Sequence, residues 1–139
     1  MSEQNIQLHR RLIEAFNASD VEALRAIVDP SIEIHLFAEI GAVHHGHVEG
    51  LRWFEDLRDT WGDTFRIESE AYFDVGEHTL LFYVVLGRGQ HSGAEVAMTA
   101  AQVVRWHNGL AVYMKNYSRK EDALRDLSVS EDALEPIAP

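Results

Sequence analysis

Residues 94–118 read AEVAMTAAQVVRWHNGLAVYMKNYS, and the fold turns on this stretch. At its centre, His107-Asn108-Gly109 carries the Asn-Gly pair of a tight hairpin, whose turn positions need a positive φ that these two residues tolerate. The flanks alternate with a period of two. Met98, Ala100, Gln102, Val104 and Trp106 share one face of the incoming strand, and Met114, Asn116 and Ser118 share one face of the outgoing strand. Working upstream, Val75-Gly76-Glu77 marks another tight turn, between strands expected over 65–73 and 78–87. A looser glycine-rich connection, Gly87 to Gly93, leads into residues 94–106. Four successive antiparallel strands result.

Before residue 65 the period changes to that of helices. Ile6, Leu8, Leu12, Ile13 and Phe16 fall near one face of a helix over 3–17. Ser19 or Asp20 can cap a second helix bearing Val21, Leu24, Ile27 and Val28, which Asp29-Pro30 stops. Ser31 to Phe37 alternates Ile32, Ile34 and Leu36 against Glu33, His35 and Phe37, the pattern of a strand with two unlike faces. After the loop Gly41-Ala42-Val43-His44-His45-Gly46-His47, a third helix presents Val48, Leu51, Trp53, Phe54 and Leu57. Ser118 to Leu124 reads as a short helix. The order helix, helix, strand, helix, then four strands gives an α+β class: a cone-shaped, strongly bent antiparallel sheet with three N-terminal helices on its concave face. A single domain is expected over 1–127, with 128–139 as a flexible acidic tail.

Composition narrows the partners. In 139 residues, 23 Asp and Glu outnumber 12 Lys and Arg, giving a formal charge of −11 that would repel a phosphate backbone, so no nucleic-acid partner is expected. With no cysteine there is neither a disulfide nor a thiolate nucleophile. The N-terminal stretch is charged throughout, and no apolar run reaches membrane-spanning length, so a cytoplasmic protein without membrane contact is expected.

Several pieces in order resemble the nuclear transport factor 2-like superfamily, in its SnoaL-like polyketide-cyclase and ketosteroid-isomerase branch. They are residues 15–20 (AFNASD), 29–33 (DPSIE), 46–52 (GHVEGLR), 104–112 (VRWHNGLAV) and 120–124 (KEDAL). The resemblance covers roughly residues 5 to 127. It implies a cone with an interior pocket and a homodimer formed through the outer sheet face, where Ala97, Thr99, Ala101 and Val103 are small or apolar. It also implies chemistry that can be carried over only residue by residue. The isomerases' oxyanion-donating tyrosine on the first helix matches Leu12. Their carboxylate base on the first strand matches His35, or Leu36 after a shift of one residue. Their protonated aspartate matches Gln102. Similar epoxide hydrolases need an aspartate on the last strand, which matches Asn116.

In the family register, Glu33 and His35 face the pocket with Gln102 and Asn116. His35 would be the general base assisted by Glu33, and the two amides would hold a developing enolate oxygen. A strand face turned to solvent would instead make Glu33 and His35 surface residues. The pocket wall is expected to include Leu12, Phe16, Phe37, Trp53, Tyr83, Met98, Val104, Trp106, Met114 and Ser118. The expected function is a cofactor-independent isomerase, cyclase or lyase acting on a small apolar carbonyl compound. A non-catalytic, dimeric small-molecule-binding domain is the alternative, and epoxide or metal-assisted hydrolysis a third. No metal is assigned, because the spacing of His44, His45 and His47 matches no recognised zinc arrangement.

Overall fold

The apolar stripe of the first helix explains where it sits. In a computed structural model describing residues 2–37, 41–89 and 92–139, helix α1 (Ser2–Ala18) buries Ile6, His9, Leu12, Ile13 and Ala15. The chain turns at Ser19, and the Asp20 carboxylate accepts from the Ala23 N–H at 3.1 Å, capping α2 (Val21–Ile27) as its side chain predicts. Strand β1 (Val28–His35) follows directly. Part of the expected loop is a short strand, β2 (Val43–His45), antiparallel to β1 with Glu33 opposite His45. Helix α3 (Gly46–Trp61) starts on a glycine for a steric reason: φ is +79°, and a Cβ there would lie 2.9 Å from the Pro30 carbonyl oxygen.

The four remaining strands match the alternation: β3 (Arg66–Val75), β4 (His78–Arg88), β5 (Glu95–His107) and β6 (Leu110–Tyr117). At the last hairpin Asn108 and Gly109 both have positive φ, as the Asn-Gly pair requires. Residues 90 and 91 of the looser β4–β5 connection lie outside the described residues. The sheet order is β2-β1-β6-β5-β4-β3. It is not wholly antiparallel, because β1 runs parallel to β6; no hairpin joins these two strands, so none dictates their relative direction. Register shifts at Ser69/Ala71 and Arg105/Trp106 add bends to the long strands.

Helices α1, α2 and α3 cover the concave face. The convex face carries a fourth helix, α4 (Lys120–Asp126), whose Ala123 packs with Phe73, Leu80, Ala101, Val103 and Tyr117. Of the four positions expected to meet a second copy, Ala101 and Val103 therefore lie in a cluster with this chain's own C-terminal helix, while Ala97 and Thr99 are exposed. Residues 128–139, read as a flexible tail, pack against the domain. Leu134 joins the convex cluster, Lys120 Nζ lies 3.1 Å from Glu131 Oε1, and Ile137 pairs with Tyr72 through N–H···O bonds of 2.8 and 2.9 Å. Arg10 also donates to the Ala138 carbonyl. Apolar anchors hold the tail where its acidic composition alone suggests none.

Candidate functional site

Because the helices meet the sheet at their apolar stripes but leave its bend unfilled, a cavity of about 580 Å³ remains inside the cone. That volume is ordinary for a small-molecule site. The helices contribute Leu12 and Phe16 from α1 and Trp53, Phe54 and Leu57 from α3; the sheet contributes Ile32 and Ile34 from β1, with Leu36 just past its end, Tyr83 and Val85 from β4, Met98 and Gln102 from β5, and Met114 and Asn116 from β6. Phe37 and Ser118 also line it, so eight of the ten expected wall residues are in place. The other two, Val104 and Trp106, lie below the wall, 0 % and 4 % exposed in the packed core. They share the concave face, but α1 and β1 close over them.

Glu33 and His35 are not in the cavity. The aliphatic face of β1 turns inward, burying Ile32 and Ile34 in line with Leu36 just beyond the strand, and the other face lies beside Tyr113 and Lys115 on the convex side. This corrects the expected register. Leu36, not His35, faces the cavity, as a hydrophobic lining demands of an alternating strand. On the convex face His35 Nε2 pairs with the Glu33 carboxylate, and His45 Nε2 lies 3.9 Å from the same carboxylate. The hydrogen bond with His35 holds the Glu33 carboxyl below its usual range. Of the isomerase positions, the first-helix donor is Leu12 and the first-strand base is Leu36; neither can take part in proton transfer.

Gln102 and Asn116 do line the cavity, and they belong to a buried chain of hydrogen bonds whose central member, His9, was not singled out from the sequence. His9 is fully buried, with Nδ1 2.8 Å from Thr79 Oγ1 and Nε2 2.7 Å from Gln102 Oε1. Gln102 Nε2 reaches Asn116 Oδ1 at 3.0 Å, as does the Tyr83 hydroxyl, and Asn116 Nδ2 reaches the His35 carbonyl at 3.3 Å. At the other end the Trp106 indole nitrogen lies 2.8 Å from Thr79 Oγ1.

The ends of this chain set its direction. The His35 carbonyl can only accept, so Asn116 turns its NH₂ to it and its oxygen to Gln102 and Tyr83. Gln102 must then give its NH₂ to Asn116 and its oxygen to His9, which puts a proton on His9 Nε2. The Trp106 indole can only donate, so Thr79 accepts from it and donates to His9 Nδ1. His9 is thereby held as the neutral Nε2–H tautomer. Burial pushes its pKa down to about 4, opposed by the bond to Gln102. Burial likewise pushes the Tyr83 hydroxyl above its ordinary value, keeping it a neutral donor. The second hydrogens of the Gln102 and Asn116 amide nitrogens make no bond to another described residue. The polar patch on the cavity wall therefore offers N–H groups to an acceptor oxygen.

Among the described residues, one histidine lines the cavity: His47, at the start of α3. Its Nε2 donates to the Val28 carbonyl at 2.8 Å, leaving Nδ1 as the basic atom of the neutral ring. The three loop histidines meet different neighbours. His44 stacks on Trp53, His45 lies beside Glu33, and His47 bonds to Val28. No group of three or more His, Asp or Glu side chains is placed to hold a metal ion among the described residues. Nor is any helix among them long and apolar enough to cross a membrane.

Solved structures share this architecture. An NTF2-like protein of unknown function from Burkholderia pseudomallei is 19 % identical, with a TM-score of 0.75 over 91 % of this chain and 98 % of its own. A candidate SnoaL-like polyketide cyclase from Jannaschia is 14 % identical, with a TM-score of 0.76 over 93 % and 94 %. IdmH, a candidate polyketide cyclase from Streptomyces antibioticus, is 23 % identical, with a TM-score of 0.70 over 88 % and 97 %. At these identities the likeness is one of fold. No curated protein sequence matches the chain. The SnoaL-like domain matches residues 9–114, from the buried histidine of α1 to the cavity methionine of β6, and the chain belongs to that family.

Proposed function

We propose that this protein binds a small, largely apolar carbonyl compound in the cone and acts on it without a cofactor, by proton transfer of the isomerase, cyclase or lyase kind. The observation that carries this reading is the directed polar patch, Gln102, Asn116 and Tyr83, in a cavity walled mostly by aliphatic and aromatic side chains. A carbonyl oxygen on the patch would accept amide N–H bonds that strengthen as it gains negative charge. His47, through Nδ1, would take the proton from the carbon beside that carbonyl and return it elsewhere on the product. It replaces His35 in the role expected of that residue. The candidate cyclases of the same fold support a compound of the polyketide size class.

A second reading, binding without turnover, is favoured by one observation: no Asp or Glu among the described residues lines the cavity. Thermal shifts against enones, polyketide-like aromatics and epoxides, followed by turnover assays on the stabilising compounds, separate the two. Carbonyl compounds are expected to raise the Tm of the wild type and of His47→Gln, with conversion lost in His47→Gln. Conversion that survives this substitution removes His47 from the role. Stabilisation without conversion by wild type selects the binding module, and absence of any stabilisation overturns both readings.

A further inference from the structure

A second concavity of about 440 Å³ adjoins the cone and is lined by Arg25, His47, Val48, Leu51, Arg52 and Glu55. Arg25, His47 and Leu51 line both spaces, so the groove lies directly against the cavity. We propose that this groove binds the anionic group of an organic acid whose apolar body occupies the cone. The inference rests on the reading of the cone as a small-molecule site and narrows its ligand to an amphipathic acid.

The case comes from where the chain leaves its cations unpaired. Six of its 12 Lys and Arg lie within 4.0 Å of a carboxylate. Arg10 and Arg58 direct their guanidinium groups to backbone carbonyls. Arg105 acts on Glu33 at longer range, and Arg11, exposed like Arg25 and Arg52, lies on α1 and does not line the groove. The two that remain, Arg25 on α2 and Arg52 on α3, line the same groove and have no ion pair or hydrogen bond among the described residues. With 23 carboxylates against 12 cations, the chain has acid to spare for pairing. Two unpaired guanidinium groups from different helices line one groove, and a bound anion could take charge-assisted contacts from both.

Glu55, one helical turn beyond Arg52, is the group that would compete with such an anion. Its carboxylate makes no ion pair within 4.0 Å among the described residues, leaving Arg52 open to a ligand. Exposed Val48 on the rim, at 72 % relative exposure, offers an apolar contact beside the two charges.

Two fluorophores of the same ring skeleton test this. N-phenyl-1-naphthylamine is neutral, and 8-anilinonaphthalene-1-sulfonate adds one anionic group. Both are expected to bind, the sulfonate on the order of tenfold more tightly, from its charge-assisted contacts. Arg25→Gln/Arg52→Gln should remove that margin and bring the affinities of the two probes together. In the wild type, added NaCl should weaken the sulfonate selectively, so the proposal stays testable should the double variant fold poorly. A sulfonate that binds no more tightly than the neutral probe, or whose advantage survives both salt and the double substitution, overturns the anionic subsite with the cone intact. Failure of both probes to bind overturns the reading of the cone itself.

Discussion

The two sides of the sheet hold similar side chains put to opposite use. On the convex side Glu33, His35 and His45 stand partly open to water, where ionised groups keep most of their hydration and an ion pair adds little. On the concave side His9, Gln102, Asn116 and Tyr83 are buried, neutral and bonded in one direction. Charge transferred into that wall would cost several kcal/mol. The cone is thus polar at one place without being ionic there, and the ionisable groups that suggest chemistry are kept outside it. A one-residue step along a strand separates the two outcomes.

The largest expected effect comes from breaking the inner network. Replacing His9 by Leu would strand the Thr79 hydroxyl and the Gln102 carbonyl in the core and should cost about 4 kcal/mol, measured by urea unfolding. A loss below about 1 kcal/mol would mean that the network adds little to the fold. Next in size is a pH effect. Unfolded His9 takes a proton near pH 6.5, while the folded ring resists until about 4. Between those values the unfolded state binds more protons. Stability contributed by the neutral ring is therefore full above pH 6.5 and declines by about 3 kcal/mol as pH falls to 4. His9→Gln should flatten that slope, and an unchanged slope would assign the acid sensitivity to other groups.

Asn116→Leu should weaken binding of a carbonyl ligand about tenfold relative to an apolar isostere of the same shape, as calorimetry can read. Equal losses for both ligands would point to altered cavity shape instead of a lost donor. The smallest effect belongs to the outer face. Glu33→Gln or His35→Gln should leave the urea midpoint nearly where it is and binding in the cone unaltered. A large effect of either on binding would show that the two faces communicate through the His35 carbonyl.

Much of this contrast was legible in the sequence. Asn108-Gly109 marked the last hairpin, and the alternation of β5 and β6 put Gln102 and Asn116 on the cavity side. The first strand was misread because the family analogy favoured a polar face inward, whereas Ile32, Ile34 and Leu36 supply the apolar lining that the cone needs. His9 had a local signal: Ile6, His9, Leu12, Ile13 and Phe16 follow the helical period, so a histidine interrupts an otherwise apolar stripe. Its partners are 70 and 93 residues away, and no local pattern could name them. The two arginines of the groove come from separate helices, and sequence spacing says nothing of their meeting.

The pairing of Ile137 with Tyr72 reaches beyond the tail itself. Strand β3 ends the sheet, and an outer strand with unpaired N–H and C=O groups is a template on which other chains can grow. By occupying one rung of that ladder, the last residues act as an internal stopper against edge-to-edge association. Asp132 and Glu135, exposed a few residues earlier in the same segment, carry negative charge that disfavours the approach of another copy.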